Sequence, residues 1–285
     1  RSSDLANGFL SCGVRRRLPP MPELPEVETR RRYLDRHALG HVVARVHVPD
    51  AMLMDPAAAR TLDRKLRGHA FDRTHRHGKW LFLRAGAGNW LVLHFGMTGN
   101  VHCIADAATP PKYVRLQADF ANGGAFIFTD PRKFGEAHWC ADPATFLAER
   151  GWGPDPLAPD FTAEAFRARL AGRTGVVKGL LLNQHIIAGV GNLYADEMLY
   201  QAALHPEARA GRLRPATCRT LYEAMRSVFE ASLAVRCRYR QLPPHFLLQH
   251  REGDGLCPQC ARPLEAIKVA GRTTRYCPRH QRRRT

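Results

Sequence analysis

The feature that most restricts this chain lies at its end. Cys257 and Cys260 are separated by two residues, sixteen more intervene, and Cys277 and His280 repeat the two-residue gap. Two ligand pairs on two knuckles meet the needs of a tetrahedral zinc ion. With four protein ligands no coordination position is left for water, so one zinc ion held here is expected to be structural rather than catalytic. Residues 251–285 are too few to build a core, and a metal staple is how so short a segment keeps a fold. The other cysteines, Cys12, Cys103, Cys140, Cys218 and Cys237, are scattered singly. That pattern suits a reducing, cytoplasmic setting better than a disulfide framework.

Charge narrows the partners. Lys and Arg number 43 against 26 Asp and Glu, a net charge of +17. A field of that sign concentrates polyanions and speeds their encounter, which makes nucleic acid the first partner to consider. Between residues 266 and 285 there are seven Lys or Arg and no acid, so the metal-stapled unit is expected to sit against phosphates. No run of 18 apolar residues occurs, and no membrane partner is expected.

Within 21–150 the apolar residues mostly alternate, in Val42–Val48, Trp80–Leu83, Trp90–Leu93, Tyr113–Phe120 and Ala125–Phe128, with Gly-rich turns between them. This period predicts an antiparallel β-sandwich or barrel. One helix precedes it, from Glu26 to about His37, with acids early and arginines late as a helix dipole favours. Gly151–Pro159 reads as a linker, and 151–250 as a helical domain carrying Ala163–Leu170, Gly179–Gln184, Leu193–Ala203 and Pro215–Ala234. Residues 251–285 are the finger. Residues 1–20 hold no apolar stretch of signal-peptide length before Arg15, Arg16 and Arg17, and are expected to be an upstream extension absent from the mature protein, which would start at Met21.

The string Met21-Pro22-Glu23-Leu24-Pro25-Glu26-Val27-Glu28-Thr29 resembles the N-terminus of the formamidopyrimidine-DNA glycosylase and endonuclease VIII family, and its Glu-Leu-Pro-Glu-Val form is similar to the formamidopyrimidine branch. The resemblance implies that Met21 is removed, that Pro22 presents a free secondary amine as nucleophile, and that Glu23 is the general acid and base. An amine that attacks the sugar C1′ forms an iminium, an electron sink for later elimination. His75-Arg76-His77-Gly78-Lys79-Trp80 resembles a family segment whose lysine binds phosphate and assists β-elimination, the role implied for Lys79. His94-Phe95-Gly96-Met97-Thr98-Gly99 and Asp130-Pro131-Arg132-Lys133-Phe134-Gly135 resemble two family loops. By that resemblance His94 contacts phosphate, while Met97, Arg132 and Phe134 fill the space left by a flipped base. The void needs filling, because unstacking costs a few kcal/mol that apolar and planar groups offset.

Residues 184–200 resemble the family's helix-two-turns-helix, with Asn192 and the upstream Lys178 as implied phosphate ligands. Gly271-Arg272-Thr273-Thr274 is similar to the finger hairpin whose arginine, here Arg272, reaches the phosphates around the lesion and is linked to δ-elimination. The implied fold is α+β in two domains: a sandwich with a leading helix, then a helix-two-turns-helix domain with a zinc finger. The implied activity is that of a bifunctional DNA glycosylase and lyase of base excision repair, a monomer acting on damaged double-stranded DNA near the nucleoid.

Two departures stand out. His280 occupies a position usually held by a fourth cysteine. Residues 231–246, where the branch has a Thr-, Asp- and Gly-rich loop over flipped 8-oxoguanine, instead carry Arg236, Arg238, Arg240 and two prolines. The rival readings are therefore an endonuclease VIII-like preference for oxidised pyrimidines and a damage-binding protein that does not cleave. Intact Pro22, Glu23, Lys79 and Arg272 argue against the latter.

Overall fold

The computed structural model describes residues 21–86 and 88–283. Helix α1 spans Leu24–His37, with Pro25 in its first turn and Arg36 and His37 in its last. Its start is closed by Glu26, whose Oε2 accepts the Glu23 backbone N–H at 3.0 Å. Two antiparallel four-stranded sheets follow. One has the order β1 (Val43–His47), β6 (Val114–Phe120), β7 (Ala125–Thr129), β5 (Asn100–Ile104); the other runs β2 (Phe71–His77), β3 (Trp80–Ala85), β4 (Trp90–His94), β8 (Glu136–Cys140). Leu81, Leu83, Leu91 and Leu93 from the second sheet meet Leu116, Phe126 and Phe128 from the first, and Val27 and Leu34 of α1 join that core.

The alternation expected for Trp80–Leu83 and Trp90–Leu93 is overlaid by burial on both faces. Helix α3 (Pro143–Glu149) lays Phe146 over Trp80, Phe82, Trp90 and Val92, so these strands read as continuous apolar runs. Helix α3 and helix α2 (Pro56–Leu66) were not expected from the apolar period. Each begins with an aspartate that caps it and a proline in its first turn: Asp55 accepts from Ala57 and Ala58, and Asp142 from Thr145.

The second half packs α4 (Ala163–Leu170), α5 (Val177–Leu182), α6 (Asn192–Gln201) and α7 (Pro215–Ala234) around Phe166, Leu181, Ile187, Met198, Met225 and Phe229. Helix α5 starts two residues earlier than the sequence suggests. Among the described residues no helix is long and apolar enough to cross a membrane.

Leu24 belongs to the helical core although it opens α1, while Val27 and Leu34 of the same helix belong to the sandwich core. The first turn of α1 is thus pinned at the seam between the two halves. The expected linker is stapled there as well. Asp155 is buried, its carboxylate takes the Gly78 N–H at 2.6 Å and pairs with Arg76, and Arg76 also binds Glu28 at 3.1 Å. Strands β9 (Glu265–Val269) and β10 (Arg272–Tyr276) close the fold as a hairpin, with Ala270 and Gly271 at φ +49° and +73° in its two-residue turn.

Candidate active site

Glu23 precedes α1 and is 2% exposed. Its Oε2 accepts the Gly191 N–H at 2.8 Å and its Oε1 the Leu193 N–H at 2.9 Å, at the start of α6. No side chain fits at 191: a Cβ there would lie 2.3 Å from the Glu23 carboxyl carbon. Gly189 is constrained too, with φ +95° and Leu24 within 2.8 Å of a Cβ. The glycines therefore let the α5–α6 turn close onto α1. Burial removes water from the Glu23 carboxyl and raises its pKa from 4.5 to about 7, against the opposing pull of Lys79 and the N–H groups of Leu193 and Tyr194. A carboxyl titrating there can give or take a proton at neutral pH.

Glu23 faces a cavity of about 560 Å³. Met21, Lys79, Asn192 and Arg272 share its wall, so the β2–β3 turn, α6 and the finger hairpin contribute to one site. Burial lowers the Lys79 pKa, and Arg272 adds to this while Glu23 opposes it. Pro22 is buried beside Glu23, between it and Met21. Asn192 donates to the Thr273 carbonyl at 3.1 Å, fixing the hairpin against α6.

Lys178 differs from its expected role as a phosphate ligand. It is 0% exposed, pairs with Asp196 at 2.6 Å, and donates to Asn192 at 2.8 Å and to Thr274. Its charge is spent inside the protein, where it positions Asn192 and the hairpin. Asp196 also binds Arg251 at 2.6 Å and the Arg275 N–H at 3.2 Å, so one buried carboxylate ties helix to finger.

The two remaining loops form a second group. Gly96 lies so close to Phe134 that a Cβ would be 2.4 Å from its carbonyl carbon. Asp130 holds the arrangement, accepting from Thr98 and from the Gly135 N–H at 2.6 Å, while the Arg132 N–H reaches Thr98 at 3.2 Å. Phe134 is 54% exposed, far above a core phenylalanine, and the Arg132 guanidinium lies 5.1 Å from its ring centre. Met97 is half-buried. His94 rests 4.9 Å from Trp80, and its Nδ1 accepts the Gly96 N–H at 3.3 Å, which leaves Nε2 to donate. Burial, helped by Lys79 and His138 and opposed by Glu136, holds its pKa below the ordinary histidine value.

In the finger, the sulfurs of Cys257, Cys260 and Cys277 lie within 4.8 Å of one another. His280 is not gathered with them: its Nε2 is 2.9 Å from the Tyr200 carbonyl oxygen, and its backbone N–H points to the Cys277 sulfur at 3.4 Å. A metal-binding histidine commonly gives one ring N–H to a backbone carbonyl, which leaves the other nitrogen as ligand. Three thiolates on two knuckles fit a soft, tetrahedral ion.

Sequence reasoning missed Glu26 as a junction. Beyond the Glu23 N–H, its Oε1 accepts the hydroxyls of Tyr194 at 2.8 Å and Tyr239 at 2.7 Å. The partners are 168 and 213 residues away, so no local pattern marks them.

Family models for the formamidopyrimidine-DNA glycosylase N-terminal domain and the formamidopyrimidine-DNA glycosylase H2TH domain match residues 21–137 and 152–240. The formamidopyrimidine-DNA glycosylase of Halorhodospira halophila is 36% identical over 275 residues, covering 92% of this chain and 100% of that protein. The Geobacter metallireducens formamidopyrimidine-DNA glycosylase is 38% identical over 269 residues, with the same coverage of 92% and 100%. The crystal structure of the Lactococcus lactis enzyme in complex with FAPY-dG-containing DNA superposes with a TM-score of 0.81 at 27% identity, covering 91% of this chain and 99% of that one. Matched over both halves, this chain belongs to the formamidopyrimidine-DNA glycosylase family of DNA repair.

Proposed function

We propose that this protein is a bifunctional DNA glycosylase and lyase of base excision repair that opens damaged DNA through a Schiff base on Pro22. The observation that carries this is Glu23: a carboxyl next to Pro22, buried, titrating near 7, and sharing a cavity with Lys79 and Arg272. With Met21 removed, the Pro22 nitrogen bonds to C1′ as the C1′–base bond breaks; protonated Glu23 gives its proton to the departing base and regains one from the Pro22 nitrogen. Glu23 protonates the ring oxygen, the sugar opens, and the nitrogen lone pair completes the iminium. Loss of a C2′ proton then expels the 3′ phosphate in β-elimination, and a second proton loss expels the 5′ phosphate in δ-elimination. Lys79 and Arg272 steady the departing phosphates. His94 and Asn192 hold the backbone, while Met97, Arg132 and Phe134 occupy the vacated stack.

The division into 21–150, 151–250 and 251–285 matches these tasks: chemistry, backbone grip and hairpin. The three finger thiolates would hold one zinc, with His280 the candidate for the fourth position, and the ion's contribution is to fix the hairpin that carries Arg272. Purified protein should contain one zinc per chain by metal analysis. Cys260→Ala should lose the metal and weaken DNA binding more than it lowers the melting of the sandwich. A metal-free wild type that binds DNA normally would refute this part.

The closeness of the chain to relatives named for formamidopyrimidines supports that lesion class over oxidised pyrimidines. Single-turnover assays on duplexes with one defined lesion test both activity and preference. Excision of a formamidopyrimidine, followed by strand cleavage, should outpace removal of thymine glycol. Faster removal of the pyrimidine lesion favours the endonuclease VIII-like reading, and binding without excision of either rules out the enzyme.

A further inference from the structure

Past the end of α7, residues 235–241 fold back over the start of α1 as a short strap. Arg236 and Cys237 have φ of +51° and +57°, consecutive non-glycine residues in the left-handed region, a backbone that persists only where its surroundings hold it. The surroundings do. The Tyr239 hydroxyl donates to Glu26 at 2.7 Å, and the Cys237 sulfur lies 3.5 Å from the Thr29 hydroxyl and 3.9 Å from that of Tyr194. Cys237 and Tyr239 face inward, and in alternation with them Arg236, Arg238 and Arg240 are exposed.

None of these three guanidinium groups has a hydrogen-bond or ion-pair partner among the described residues. Other exposed arginines do: Arg67 pairs with Asp63, Arg219 with Glu164 at 3.0 Å, and Arg283 with Glu207 at 2.5 Å. Three free forks thus stand on a backbone anchored to Glu26, three residues after Glu23, and free guanidinium forks on a held backbone are preorganised to take phosphates.

We propose that the 235–241 strap binds the phosphate backbone of the DNA seated at the Glu23 cavity. The proposal rests on the glycosylase reading. A duplex carries a charge about every 1.7 Å of its axis, so one that delivers a nucleotide to Glu23 surrounds the cavity mouth with phosphates. The strap also gives residues 231–246 a task in place of a loop shaped around one particular base.

The test is the salt dependence of binding to a duplex with an abasic-site analogue, comparing full-length wild type with the triple variant Arg236→Gln, Arg238→Gln, Arg240→Gln. Each lost phosphate contact should reduce the slope of log affinity against log salt by about 0.9. For three contacts, wild type should lose roughly 40-fold more affinity than the variant between about 50 and about 200 mM salt. The corresponding triple lysine variant should keep most of the wild-type slope. Thermal melting of the glutamine variant should match wild type, since these side chains hold nothing in the fold. An unchanged slope in that variant, with wild-type binding intact, overturns the strap alone; a wild type that fails to bind the duplex overturns the glycosylase reading with it.

Discussion

Glu23→Gln should reduce base excision by about 10²- to 10⁴-fold, the usual contribution of a positioned acid or base, while leaving the protein bound to abasic-site DNA. The pH profile separates loss of chemistry from loss of structure. Glu23 titrates near 7, and as the acid it must be protonated, so its contribution is present below 7 and lost as pH rises through that value. A free α-amine titrates at roughly 8 and must be neutral to attack, so its contribution grows as pH rises towards 8. Wild-type excision should therefore climb to about pH 7, stay nearly flat, and fall above about 8. In Glu23→Gln the residual activity should go on rising to about pH 8 and then level off, because the group responsible for the decline is gone. A residual profile that still turns over would show that Glu23 is not the acid. Glutamine also turns an amide donor towards N–H groups of Gly191, Leu193 or Tyr194, so a modest loss of stability is expected, about 1–3 kcal/mol for an acceptor lost in a buried site.

The parts of this molecule that were legible in the sequence are those whose physics is local. The cysteine spacing, the alternation of Tyr113–Phe120 and the proline start of α1 each concern neighbours along the chain, and each has its counterpart in the structure. Helices α2 and α3 were also marked locally, by Asp55-Pro56 and Asp142-Pro143, but their few apolar residues, Leu62 and Leu66 in one and Phe146 in the other, are too sparse to show a period. What could not be read is long-range. Lys178 enters the sequence reading only by resemblance, as an implied phosphate ligand, and only the fold places Asp196, Asn192 and Thr274 around it. His280 stands at ligand spacing, yet the Tyr200 carbonyl directs its ring, and that carbonyl lies 80 residues away. The carboxylates that tie these elements together, half-buried Glu26 and buried Asp155 and Asp196, take partners that no local pattern marks.

A protein whose first residue is Pro22 should be trapped covalently on an abasic-site oligonucleotide by borohydride, and a form that retains residues 1–21 should bind the same oligonucleotide without being trapped. The reason is the nitrogen. Inside the chain, the Pro22 nitrogen is part of an amide, its lone pair is delocalised into the preceding carbonyl, and it cannot attack C1′. Released, it is a secondary amine of which a fraction is neutral at pH 7. Position supports the same reading: Pro22 adjoins Glu23, and Met21 lines the cavity, so removing Met21 both creates the amine and opens the space in front of it. The expected contrast is near all-or-none, since borohydride reduces only an iminium and the longer form has none to offer at this position. The competing amine is Lys79, which lines the same cavity and whose pKa is lowered by burial, a shift that favours a neutral nucleophile. Mass spectrometry of the trapped peptide distinguishes the two. Attachment at Pro22 in the shorter form, with none in the longer, establishes the N-terminal amine; robust trapping of the longer form at Lys79, with residues 1–21 verified in place, would move the nucleophile to Lys79 and leave Pro22 as the residue ahead of Glu23, the N-cap of α1.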